Sequence, residues 1–249
     1  MRLLAAELRK LATLPGVWIG AVVAMVAPAG FVIIAARQAA HYGVLPDADD
    51  GYGQLALLGV IGAIVIGVLA VASEYAAEDA EAGGGRPIAT SLTVRPGRLG
   101  LLAAKLSATG LAVVLLAALS TPLTLVVGSL ANFGDLSAVG SEDVGRGLGV
   151  VIYWLLTALI AAGTTLLTRS GTIPMAVLIV NSSVVSVTYL LSQRVAAANF
   201  FPDLAGIAMF IQTRPTSLTI EPLVGGLVML GWTVALLAIG AAVFQRRDA

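Results

Sequence analysis

The chain has 249 residues, of which 58% are hydrophobic and only 11% charged, with a mean hydropathy of +0.97. A soluble domain of this length carries about 25% charged residues, so the composition is that of an integral membrane protein. Formal net charge is zero, which removes the electrostatic case for a nucleic-acid partner; zero cysteines exclude a disulfide framework, cysteine zinc sites and a thiol nucleophile.

Residues 2–14 predict an N-terminal interfacial helix. Leu4, Leu8 and Leu11 share one face, Arg2 and Arg9 lie opposite, and Lys10 is to one side. The same residues also read as a basic flank that sets topology. The apolar run that follows, 17–36, is longer than the 7–15 residues of a signal-peptide core, so it is expected to stay in the membrane as a span.

A membrane-spanning helix needs about 20 mainly apolar residues. Six runs meet this: about 17–36, 55–73, 106–130, 148–168, 173–191 and 223–244. The expected fold is therefore an all-α integral membrane protein of six transmembrane helices in one domain, 1–249. The fifth run is the most dilute, interrupted by Asn181, Ser182, Ser183 and Ser186.

Orientation follows from lysine and arginine. With the N-terminus inside, the inner segments hold Arg2, Arg9, Lys10, Arg86, Arg95, Arg98, Lys105, Arg169, Arg246 and Arg247. The outer segments hold only Arg37, Arg146, Arg194 and Arg214, and are acidic at Asp47, Asp49, Asp50, Asp135, Glu142, Asp143, Asp203 and Glu221. Both termini are expected in the cytoplasm. DADDGYG at 47–53 fails as a calcium loop, because the fifth position is Gly51 and the twelfth Leu58, where oxygen ligands are needed. It reads as a solvated acidic loop, and His41, the one histidine, as an ordinary surface residue.

The long polar interruption at 74–105 is expected on the cytoplasmic side. Burying Glu74, Glu78, Asp79 and Glu81 at the bilayer centre would cost about 2.5–3.5 kcal/mol each, roughly 10 kcal/mol together. Gly83, Gly84 and Gly85 end a first short helix, and Pro87 starts a second with Ile88 and Leu92 on one side, closed by Pro96. A short helix with an apolar face, held between two spans, is a docking device.

The last outer loop, 192–222, carries Phe200, Phe201, Leu204, Ile207, Met209 and Phe210, broken by Pro202. That much apolar surface predicts a re-entrant or interfacial element dipping into the outer leaflet, or a connector packed on neighbouring spans.

No proposed span has an acid or base near its centre, which weighs against ion-coupled transport. Intramembrane hydrolysis is disfavoured too: the one histidine is in a loop and HExxH does not occur. Asn181, Ser182 and Ser186 either line a translocation path or hydrogen-bond between helices. Gly16, Gly20, Ala24, Gly59 and Gly62 permit close helix contact, and Pro28 and Pro122 are expected to kink their spans.

The layout resembles the permease (transmembrane) subunit of a bacterial type-2 ABC exporter. SEY at 73–75, followed by TSLTVRPGRLGLLAAK at 90–105, is similar to the family's Glu-Tyr, Thr-x-Leu, Pro-x-Arg and closing Lys before span three. ELRKLATLPGVW at 7–18 resembles its basic helix leading into span one. FFPDLAG at 200–206 resembles its proline-containing re-entrant element. Between the first two motifs, 76–87 is longer than the family's compact Gly-Thr turn.

The resemblance implies a pore subunit of the bacterial cytoplasmic membrane that exports an amphipathic drug, peptide or lipid-like substrate. This chain lacks a G-x-x-x-x-G-K-[ST] phosphate loop, so it would bind no cofactor, and ATP and Mg would sit on a separate ABC ATPase subunit. A second permease copy or a paralogue would complete the pore. Glu74, Tyr75, Ile88, Leu92, Pro96 and Arg98 would form the ATPase-coupling segment, passing motion through Glu74 and Lys105 into spans two and three. Phe200, Phe201 and Pro202 would form the re-entrant element. The competing readings are an ion-coupled secondary transporter and a non-transporting membrane scaffold or immunity protein.

Overall fold

A computed structural model describes residues 2–44, 49–75, 98–134, 136, 140, 142–183, 186–211 and 220–246. Among these residues helix is the only regular secondary structure, and five helices are long and apolar enough to cross a membrane. It is a multi-pass membrane protein. A short helix, α1 (Arg2–Thr13), precedes α2 (Pro15–Tyr42). Then come α3 (Gly51–Ala72), α4 (Arg98–Phe133) and α5 (Glu142–Thr168). Two short helices, α6 (Thr172–Ser183) and α7 (Val187–Ser192), lead to a 3-10 turn at Ala196–Phe200 and to α8 (Pro202–Ile207). The last helix is α9 (Pro222–Arg246).

The bundle is built around α3 and α5, which run in the same direction and are the most buried helices. Helices α2, α4, α6 and α9 surround them and turn Trp18, Leu115, Val177 and Leu227 outward, the apolar rim a lipid environment requires. Small residues set the spacing at the centre. A Cβ on Gly67 would lie 2.2 Å from the Ala158 carbonyl oxygen of α5, and one on Gly62 would lie 2.5 Å from the Gly20 carbonyl of α2. The small-residue faces of the first two spans therefore meet each other within one chain, as van der Waals packing between membrane helices favours.

Two irregular backbone features have named partners. Residues Leu55–Gly59 of α3 are wound as a π-helix, and the Leu55 carbonyl accepts from Trp154 Nε1 at 3.2 Å. Gly59 leaves room for that indole. Pro28, inside α2, has no N–H to give the carbonyl four residues earlier, Ala24. Ser120 Oγ of α4 donates to that carbonyl at 2.7 Å, so the buried acceptor is satisfied from a neighbouring helix.

Three expectations meet a different geometry. The segment expected as a loop through 105 gives way to helix at Arg98, and α4 runs 36 residues, roughly 54 Å at 1.5 Å per residue. That exceeds a hydrocarbon core of about 30 Å, so its first turns stand clear of the apolar run. The expected span 173–191 is divided into α6 and α7, and the 12 residues of α6 cover only about 18 Å. The polar side chains that dilute this run cause the division. Asn181 Oδ1 accepts from Val187 N at 3.1 Å, and Ser186 Oγ caps α7 by accepting from Tyr189 N at 3.1 Å. Finally, the apolar face of α1 packs on protein: Leu11 is buried and Leu4 and Leu8 lie against the same core cluster.

Candidate functional site

Four charged side chains meet where α1, the end of α3 and the start of α4 come together. Lys105 Nζ lies 2.6 Å from Glu7 Oε2 and 2.9 Å from Glu74 Oε1. Lys10 Nζ donates to the same Glu74 oxygen at 2.5 Å. Glu7, Glu74 and Lys105 are each under 10% exposed, whereas Lys10 is partly open to solvent. Two acids and two bases balance, so the cluster as a whole is neutral. Isolated, each of these charges would be costly to desolvate; paired and hydrogen-bonded, they hold three helices in one arrangement.

Local sequence explains the convergence. Glu7 falls at helical spacing with Leu4, Leu8 and Leu11, so the packed face of α1 carries one acid inward while Arg9 stays exposed. Glu74 sits in the turn that ends α3, its N–H bonded to the Val71 carbonyl. Burial alone would raise the Glu74 carboxyl. The Lys105 charge and the hydrogen bonds from Lys10 and Lys105 outweigh it and hold the group below its ordinary value. Next to it, Tyr75 receives the Arg169 guanidinium over its ring at 5.8 Å, which brings in the end of α5. A cavity of about 20 Å³, lined by Val71, Glu74, Leu101, Lys105, Leu166 and Phe244, adjoins the cluster.

Of the expected coupling residues, Glu74 and Tyr75 lie in this assembly, and Arg98 is the first residue of α4. Ile88, Leu92 and Pro96 lie outside the described residues, as do Gly83, Gly84, Gly85 and Pro87. Glu74 ends α3 and Lys105 lies two turns into α4, so their ion pair ties together the helices on either side of the intervening segment. Glu7 and Lys10 were not anticipated as partners. The signal available was the acid on the apolar side of an otherwise basic amphipathic helix.

At the opposite end of α3 and α5 a second set closes. Arg146 on α5 forms an ion pair with Asp49, donates from Nε to the Phe210 carbonyl at 2.8 Å and stacks over the Tyr52 ring at 3.8 Å. Tyr52 OH in turn donates to Asp143 Oδ1 at 2.6 Å. Asp49, expected in a solvated acidic loop, and Asp143, expected in an outer segment, are thus both engaged in packing.

A third set involves the residues expected to line a path. Asn181 Nδ2 donates to Asp203 Oδ2 at 2.9 Å, Thr188 Oγ1 donates to the same oxygen, and Ser186 Oγ lies 3.5 Å from it. Ser182 is half-buried on α6 and takes no part. Phe201 stacks on Trp232 of α9, Trp232 Nε1 donates to the Phe200 carbonyl at 2.9 Å, and Pro202 opens α8. The 200–211 segment therefore packs along α9. Asp203 is partly buried in this packing.

Among the described residues no group of histidine, cysteine, aspartate and glutamate has the make-up of a metal site. No protein-family model, curated protein or solved structure matches this chain.

Proposed function

We propose that this chain is the membrane-spanning subunit of an ATP-driven ABC exporter, moving an amphipathic drug, peptide or lipid-like molecule out of a bacterial cell. In this reading α6 and α7 together make the fifth of six crossings, and both termini face the cytoplasm. ATP and Mg reside on a separate ATPase subunit, and a second copy or a paralogue completes the pore.

The observation that supports it best is the cluster of Glu7, Lys10, Glu74 and Lys105. A segment flanked by α3 and α4 can act as a lever only if its base is stiff, and three buried charges tied across α1, α3 and α4 supply that stiffness. A push on the 76–97 segment would then move α3 and α4 as a body rather than bend a loop. The charge distribution, basic at this end and acidic at the other, agrees with a cytoplasmic motor.

The test is purification of the chain in detergent with a phosphate-loop ATPase encoded beside it. Co-elution of the two, with Leu92→Asp weakening the association while membrane insertion persists, is the expected result. Because the chain has no cysteine, Arg95→Cys and Val144→Cys report sidedness without background. Arg95→Cys should react only from the cytoplasmic face and Val144→Cys only from outside. Labelling of position 95 from the exterior would remove the surface an ATPase needs and end this reading.

A further inference from the structure

Helices α4 and α9 both pack on α5 and far less on each other, which leaves a groove between them. Ser107, Gly110, Leu111 and Val114 of α4 form one wall, Leu237 of α9 the other, and half-buried Leu155 and Leu159 of α5 the floor. Its volume is about 410 Å³. Small residues open it: Ser107 is short, and a Cβ on Gly110 would already lie 3.2 Å from Leu155 Cδ1. One end is closed by the buried Leu102, Leu166 and Phe244, against which Leu106 also packs.

A space of this size costs its lining atoms their dispersion contacts unless something occupies it. Water is a poor occupant. The lining carries a single hydroxyl, that of Ser107, where a bound water needs about two to four polar partners. A helix from a second copy is too wide. Spread along the roughly 12 Å of α4 from Leu106 to Val114, the volume gives a mean cross-section of roughly 35 Å², against roughly 80–110 Å² for a helix. Eight lining residues also fall far short of the roughly 20–30 a side that a stable protein interface uses. The groove is instead continuous with the apolar rim that faces lipid. Leu111 is 46% exposed on its wall and stands one turn from Leu115, at 64%.

We propose that this groove is a binding site for one acyl chain of a membrane phospholipid, held between α4 and α9 over Leu155 and Leu159. An unbranched methylene chain is narrow enough to lie along it, and the aliphatic lining takes that chain by dispersion. None of the lining residues is ionisable, so no charge opposes entry. Ser107, exposed on α4, can donate to the ester carbonyl where the chain joins its glycerol. The bound chain bridges two helices that otherwise meet mainly through α5. The site does not rest on the exporter reading.

The experiment is photo-cross-linking of the full chain in nanodiscs of phosphatidylethanolamine and phosphatidylglycerol, with a diazirine in the acyl chain and adducts mapped by mass spectrometry. Adducts on Leu155 and Leu159 should exceed those on the lipid-facing rim of α2 at 18–26, although these two leucines are the less exposed. Ser107→Phe puts a phenyl group where the chain lies and should lower the floor adducts about tenfold, leaving those on α2 unchanged. Floor adducts no more abundant than rim adducts, or unmoved by Ser107→Phe, overturn the proposal. The chain has no cysteine, so Ser107→Cys reports the competing occupant. A disulfide-linked dimer formed in the membrane would put a second copy in the groove and overturn the lipid assignment. If Ser107→Phe is not recovered as monodisperse protein, Val114→Phe fills the same wall one end further on, and unchanged floor adducts again overturn it. Failure of this test leaves the ATPase co-purification untouched, and failure of that one leaves the groove untouched.

Discussion

The Glu74 carboxylate and the Lys105 ammonium meet at 2.9 Å, tying together the helices on either side of the segment that joins α3 to α4. Neither is held by the other alone: Glu7 shares the lysine and Lys10 shares the glutamate. Lys105→Met would leave two buried acids facing Lys10, and breaking a buried pair from one side costs about 3–5 kcal/mol. The expected outcome is a loss of that size in denaturant unfolding in detergent. The double variant Glu74→Gln, Lys105→Met should lose clearly less than the sum of the two single losses. Additive losses would show that the pair does not couple.

The same contact sets an acid limit on stability. Glu74 is held below its ordinary value of 4.5 in the folded chain, so the unfolded state binds its proton more readily. The stabilisation is full above that ordinary value and disappears as pH falls through the lower folded one. Thermal unfolding of the wild type should show a midpoint that this group leaves level above pH 4.5 and lowers below it. In Glu74→Gln that share of the acid-side fall should be missing, with a lower midpoint at neutral pH. An acid limb identical in both proteins would contradict the assignment.

Ser120 and Pro28 form a compensating pair through the Ala24 carbonyl. Ser120→Ala strands that buried acceptor and should cost about 1 kcal/mol, within the range for a lost hydrogen bond. Pro28→Ala returns an N–H at the position that bonds Ala24 along the helix. In that background Ser120→Ala should cost little. The comparison needs only the four unfolding curves of a double-mutant cycle, and equal costs in both backgrounds would mean Ser120 does not stand in for the missing amide.

At Gly67, α3 approaches the backbone of α5 closely. A methyl there meets backbone, at 2.2 Å from the Ala158 carbonyl oxygen, and backbone cannot swing aside as a side chain can. Gly67→Ala should lose about 3 kcal/mol or more, read as loss of monodisperse protein and a lowered unfolding midpoint. Gly231→Ala on α9, where nothing lies within 4 Å, should be neutral and serves as the control.

Much of the architecture is written in local composition. Long apolar runs mark where helices can cross, because transfer of a helix into lipid is close to a sum over its own residues. That sum placed the five long helices and marked the run around Asn181 and Ser186 as weak, though not that its side chains would end one helix and cap the next. Polar pairing is a different kind of quantity, since it depends on which helices lie side by side. Glu7 and Lys105 are 98 positions apart, and Lys10 and Glu74 are 64 apart. No window along the chain contains both members of either pair. Asp203 shows the same divide, reading as a loop acid by its neighbours in sequence and as a partner of Asn181 and Thr188 by its neighbours in space. The sequence by itself determined which stretches leave water and which end carries the positive charge. Only the tertiary packing decided where Glu7, Glu74 and Asp203 found their partners, because a buried charge is stabilised by contact and not by composition.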